Sequence, residues 1–182
     1  MTTEKELLEA FGHDRHTAGQ SLYKRYGGRL MAICLRYMGT GDDARDVLQD
    51  AFVKILTEIG RFEYRGEGSL GAWMARITVN EALTHLRKDS LMKTTDMPTA
   101  DLADEEEAEP ERVPPNVLQK MIGQLPEGYR TVLNLFVFEQ IPHKEIARRL
   151  GITESTSGSQ YLRAKKMLAR QINDYLKKQE RT

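Results

Sequence analysis

Apolar residues in this 182-residue chain recur at intervals of three and four, and few segments alternate with a period of two. That spacing puts apolar side chains on one stripe of a helix, so the expected fold class is all-α. In the first half, helices are expected over about residues 2–12, 15–38, 42–60 and 70–88. Leu22, Tyr26, Leu30, Ile33 and Tyr37 form one stripe; Ala44, Val47, Leu48, Ala51, Phe52, Ile55 and Ile59 form another. Leu70, Trp73, Met74, Ile77 and Leu83 form a third, which assigns Trp73 to the core. Gly39 and Gly41 break the second helix, and Asp42 and Asp43 open the third, where carboxylates suit the positive end of the helix dipole. Residues 61–68 read as a loop punctuated by Gly66 and Gly68, with Ser69 placed to cap the fourth helix.

Periodicity stops at about residue 90. Residues 96–115 carry eight acidic side chains and one basic, with Pro98, Pro110, Pro114 and Pro115 among them. So little apolar surface cannot support a core, so this stretch is expected to be a flexible acidic linker. The expected organisation is therefore a helical domain over 1–95, a linker over 96–115 and a second helical domain over 116–182. The net charge of the whole chain is zero, yet residues 116–182 carry 12 basic and 6 acidic side chains. A basic domain suits a polyanion partner, although charge alone equally suits a device for solubility.

The second domain contains the most informative pattern. A short helix ending near Leu150, a turn at Gly151 and a long helix from about Glu154 have the form of a helix-turn-helix. Gly151 stands where the turn requires positive φ. Ile146, Ala147 and Leu150 face Tyr161, Ala164, Leu168 and Ile172, while Ser155, Thr156, Ser159, Gln160, Arg163 and Lys166 share the opposite face. Short polar groups at the start of such a helix can meet base edges, and the later cations can meet phosphates.

Other chemistry is poorly supported. Cys34 is the only cysteine, which excludes an intramolecular disulfide and fits a reducing cytoplasm. It lies between Ile33 and Leu35 and reads as a buried thiol. The four histidines lack metal-ligand spacing, so no metal or cofactor is expected. No apolar run approaches the roughly 20 residues that span a bilayer. No nucleophile and base can be paired, and the chain reads as non-enzymatic.

Three blocks then carry a resemblance: Gly41-Asp-Asp-Ala-Arg-Asp-Val-Leu-Gln-Asp-Ala-Phe-Val-Lys54; Leu70-Gly-Ala-Trp-Met-Ala-Arg-Ile-Thr-Val-Asn80, reaching Arg87-Lys88; and Leu125-Pro-Glu-Gly-Tyr-Arg-Thr-Val132 through Ile146-Ala-Arg-Arg-Leu-Gly-Ile-Thr-Glu-Ser-Thr156 to Arg163-Ala-Lys-Lys166. Together, over about residues 10–176, they resemble bacterial RNA polymerase sigma factors of the extracytoplasmic-function (ECF) group of the sigma-70 family. The resemblance implies a factor that binds core RNA polymerase and directs promoter-specific initiation. Asp42, Asp46, Gln49 and Asp50 would then meet the clamp helices of the polymerase. Phe62, Tyr64, Arg65 and Asn80 would read the melted −10 strand, with Arg76, Arg87 and Lys88 on phosphates. Thr156, Gly158, Ser159, Gln160, Leu162, Arg163 and Lys166 would face the −35 duplex. Gly158 and Gln160 depart from the basic residues common at those positions, so the −35 preference should differ from that of better-known relatives. Thr84 also departs, from an acidic residue. The resemblance further implies an anti-sigma factor as partner. It implies a linker that threads a polymerase channel, its carboxylates acting either as a nucleic-acid mimic or as a passive tether. Without the resemblance, a stand-alone helix-turn-helix regulator and a protein-binding adaptor both remain open.

Overall fold

The structure, a computed structural model, describes residues 3–88 and 108–180. They are helical or connect helices, and among the described residues there is no strand. The chain divides into two compact units, one within Met1–Lys88 and the other within Asp89–Thr182.

The first unit holds α1 (Glu4–His13), α2 (Arg15–Met38), α3 (Gly41–Glu58) and α4 (Ser69–Lys88), with a 3-10 turn at Ile59–Arg61. Local chemistry sets the boundaries of the first three. Thr3 and Glu6 close a reciprocal capping box on α1. The Asp14 carboxylate accepts from the amides of His16 and Thr17 at the start of α2. Gly39 ends α2 at φ 77°, and the Thr40 side chain caps α3. α2 packs against α1, α3 and α4, and α3 packs against α4. Every residue of the α2 and α3 stripes is buried, with Leu30, Tyr37, Val47 and Ile55 at 0 % exposure. A side chain of this size contributes about 1.5–3 kcal/mol on full burial, so the stripes are the main source of cohesion. Cys34 is also fully buried, and burial pushes its thiol up to about 12.

The second unit holds α5 (Pro115–Gly123), α6 (Glu127–Leu133), a π-helical turn at Asn134–Phe138, α7 (His143–Leu150) and α8 (Glu154–Gln179). α8 runs along α5, α6 and α7. Ile122, Leu125, Tyr129, Leu133 and Ala164 form one core, and Val113, Met121 and Ile172 another. The buried Arg130 guanidinium donates to the carbonyls of Gly123 (2.9 Å) and Leu125 (3.0 Å), tying α6 to the end of α5. Gly151 ends α7 at φ 68°, the turn geometry its position predicts.

Three expectations are corrected here. Residues 96–107 of the expected linker lie outside the described residues, but Ala108 onward belongs to the second unit. Val113 is 5 % exposed against Met121 and Ile172, and Arg112 pairs with Glu109 (2.7 Å) and Glu180 (3.3 Å). Prolines and acids hid one apolar anchor. Ser69 is the first residue of α4 and not its cap: its hydroxyl accepts from the Arg65 amide at 3.2 Å and donates to the Gly66 carbonyl at 2.6 Å, both in the preceding loop. Trp73 is only partly buried, although its stripe neighbours Leu70 and Met74 are at 0 % exposure. Among the described residues no helix is long and apolar enough to cross a membrane.

Candidate nucleic-acid and polymerase interfaces

The outer face of α3 carries Asp42, Asp46, Gln49 and Asp50, all exposed. Asp42 pairs with Arg45 on the same helix, and Asp50 bonds His85 of α4 at 2.8 Å. Exposed pairs of this kind are worth little, so the carboxylates keep their capacity for a cationic partner. Val53 lies one turn beyond Gln49 on the same stripe and is 62 % exposed. An apolar side chain set among carboxylates gives this face a contact that dehydrates as well as a charge. Val53 breaks no periodicity; it simply falls on the polar side.

The loop after the 3-10 turn and the first turns of α4 form a second site. Gly66 and Gly68 adopt φ of 114° and 90°, bending the chain into α4. The Arg65 amide donates to the Ser69 hydroxyl at 3.2 Å. Phe62 packs on Trp73, with ring centroids 5.1 Å apart and planes tilted by 44°. Beside these rings opens a cavity of about 400 Å³, lined also by Arg61, Glu63, Arg65, Ser69 and Arg76, with Glu63 paired to Arg65 at 3.4 Å. Two aromatic faces and three guanidinium groups around one hollow can stack an unpaired base and hold its phosphates. Arg76, Asn80 and Arg87 continue the Trp73 face of α4 at helical spacing, and Asn80 and Arg87 are exposed. Lys88 ends the helix, and its side chain lies outside the described residues. The Thr84 hydroxyl donates to the Asn80 carbonyl at 2.9 Å.

Tyr64 is not brought to this cavity. It lines a neighbouring hollow of about 790 Å³ together with Lys5, Phe11 and Arg15, and its hydroxyl lies 3.5 Å from Glu67. Arg61 and Trp73 line the cavity although the sequence reading placed neither there. A lone Arg in a loop carries no pattern, and Trp73 sits on an apolar stripe whose far edge is left uncovered.

The third site is the start of α8. Thr153 caps it, accepting from the Thr156 amide at 3.0 Å, and the two threonine hydroxyls are 2.8 Å apart. Ser157 is buried between the two helices of the motif, its hydroxyl 2.9 Å from His143 Nδ1. His143 stacks on Phe136 at 4.3 Å, which fixes the entry of α7 against α8. Outward stand Ser159, whose hydroxyl donates to the Ser155 carbonyl at 2.9 Å, and Leu162, 53 % exposed. A Cβ added at Gly158 would meet nothing within 4 Å outside its own helix backbone. Arg163 is half-buried, its Nη1 3.4 Å from the Tyr129 hydroxyl, and Lys166 is half-buried too. Gln160 departs from its expected outward placement. It is half-buried, and its amide lies against Gly128, where an added Cβ would sit 3.4 Å away. Gly128 leaves room that no periodicity could show.

The family models for sigma-70 region 2 and sigma-70 region 4 match residues 22–91 and 116–168. The RNA polymerase sigma-H factor of Pseudomonas aeruginosa is 26 % identical over 195 residues, covering 96 % of each chain. The ECF RNA polymerase sigma factor SigM of Mycobacterium tuberculosis is 28 % identical, covering 92 % of this chain and 84 % of its own. Among solved structures, the sigma factor RpoE of Bartonella quintana, crystallised with the anti-sigma factor NepR, matches with a TM-score of 0.46 at 20 % identity; the match covers 82 % of this chain and 92 % of that one.

Proposed function

The chain belongs to the sigma-70 family, as an ECF sigma factor, and from that premise we propose how its two units divide the work of promoter-specific initiation. It is a transcription initiation factor and not an enzyme; bond formation belongs to the core RNA polymerase it directs. It acts in the cytoplasm, where polymerase and promoter meet. The α3 face, with Asp42, Asp46, Gln49, Asp50 and Val53, docks on the polymerase clamp. Carboxylates steer the encounter, and the apolar side chain adds desolvated contact. The start of α8 enters the −35 major groove, where Ser159, Gly158 and Leu162 approach base edges and Arg163 and Lys166 approach phosphates. An exposed leucine among these suits a thymine methyl. An anti-sigma factor that covers the α3 face would hold the chain inactive.

What supports this reading is the cavity beside the packed Phe62 and Trp73 rings, lined by Arg61, Glu63, Arg65 and Arg76. An unstacked base of the melted −10 strand fits its chemistry. The test is run-off transcription on fragmented genomic DNA with bacterial core polymerase. Defined start sites should appear only when the chain is added. Trp73→Ala should lower their yield by about 5- to 100-fold, the range for losing one base–aromatic stack. Core that gains no start sites, while the folded chain binds duplex DNA alone, would overturn the proposal in favour of a stand-alone regulator.

A further inference from the structure

Glu4 is 1 % exposed, although it stands in the first turn of the first helix. Its Oε1 accepts from the Tyr26 hydroxyl at 2.7 Å and from the Gly71 amide at 3.1 Å, and its Oε2 accepts from the Leu70 amide at 3.0 Å. Its own backbone amide donates to Glu67 Oε1 at 2.8 Å, and Glu67 lies in the loop that leads into α4. A buried carboxylate is costly unless its lone pairs are filled, and here three donors fill them. Burial alone would raise this carboxyl, yet the bonds from Tyr26, Leu70 and Gly71 outweigh it and hold it below the ordinary value.

The start of α4 needs such a partner. The first turn of α4 contains no acidic side chain, and the Ser69 hydroxyl accepts from the Arg65 amide of the loop and not from an amide of α4. The free amides and the positive end of the helix dipole are met by a carboxylate 66 residues away. The arrangement also requires Gly71 to lack a side chain. A Cβ there would lie 3.0 Å from the Tyr26 ring, 3.3 Å from the Arg29 guanidinium and 3.6 Å from Glu4 Oε1. One turn of α1 thus holds both ends of the loop's exit: Glu67 through its backbone, and Leu70 and Gly71 through its side chain. Trp73 and Arg76, which line the base cavity, follow within two turns.

We propose that Glu4 is a positioning residue for −10 strand capture: α1, through Glu4, sets the start of α4 and the Gly66–Gly68 bend so that the Phe62–Trp73 cavity is preformed. The proposal rests on the reading of that cavity as the −10 site. It gives α1, which precedes the region 2 match at residue 22, a part in promoter opening.

The experiment compares the parent chain with Glu4→Gln, each assembled with core polymerase, on start sites mapped with the parent. Gln keeps the shape but loses the charge and presents donors to donors. Promoter binding before opening, read from the concentration dependence of the initiation rate, should stay within about twofold. The opening rate should fall on the order of tenfold, as expected when hydrogen bonds to a charged acceptor are lost. A merely destabilised chain would instead lose active holoenzyme, lowering amplitude and leaving the opening rate of the remainder unchanged. If Glu4→Gln unfolds below the assay temperature, Tyr26→Phe decides. It removes one bond to Oε1, and its opening rate should fall about threefold. A folded variant that opens promoters at the parental rate overturns the proposal while the sigma reading stands. A parent that yields no start sites overturns both.

Discussion

A methyl group added at Gly71 would meet the Tyr26 ring at 3.0 Å, whereas one added at Gly158 would meet nothing within 4 Å. Both glycines sit inside helices, so local propensity predicts the same gain of about 1 kcal/mol for replacing either with Ala. Packing separates them. Gly71→Ala should destabilise the first unit by about 1–3 kcal/mol, the ordinary cost of overpacking. Gly158→Ala should stabilise the second unit by up to about 1 kcal/mol. Urea unfolding of the two variants against the parent measures both signs. At this scale the resemblance drew attention to Gly158, as a position where a cation was expected. No sequence pattern marked Gly71, because its neighbours Tyr26 and Glu4 are remote in the chain.

The helix-turn-helix was legible as an element. The period of three and four, the glycine at φ 68° and the cap at Thr153 all follow from adjacent residues. α7 also carries its own ionic clasp. Glu145 accepts from Arg148 at 2.8 and 2.9 Å and from Arg149 at 2.9 Å. Those bonds, Arg148 first and Arg149 second, lower its carboxyl from the usual 4.5 to about 2. Because the folded value lies below the unfolded one, the clasp stabilises fully above about 4.5 and is lost as pH falls towards about 2. Glu145→Gln should therefore be less stable than the parent at neutral pH, by an unchanging margin down to about pH 5. The margin should close as pH falls towards about 2, which urea unfolding at a series of pH values would show. The face of α8 was less legible than its existence. Gln160 shares the polar side by its angle but leans on Gly128 of α6, a neighbour that only the packed structure supplies.

For the molecule as a whole, charge was readable by simple counting. The segment 116–182, with 12 basic against 6 acidic side chains, predicts duplex binding dominated by phosphate neutralisation once it is joined to the match to sigma-70 region 4. Promoter affinity of the holoenzyme should fall linearly on logarithmic axes as salt rises. Lys166→Ala should lower that slope by about one while leaving sequence preference unchanged, measured by filter binding across a salt series. The two-unit organisation was also readable, because apolar stripes end where acids and prolines begin. The start of the second unit was not, since Val113 alone among acids and prolines carries no period. Periodicity is local: it states which face of a helix is apolar, and it held for every stripe residue of α2 and α3. It cannot state how much of a face another segment will cover. That is why tertiary structure alone left Trp73 at an open edge, exposed Val53 among carboxylates, and carried Glu4 across the fold to the bare amides of α4. Those outcomes depend on which distant groups reach a site first, and a carboxylate buried against free amide donors is stable only where the completed fold brings them together.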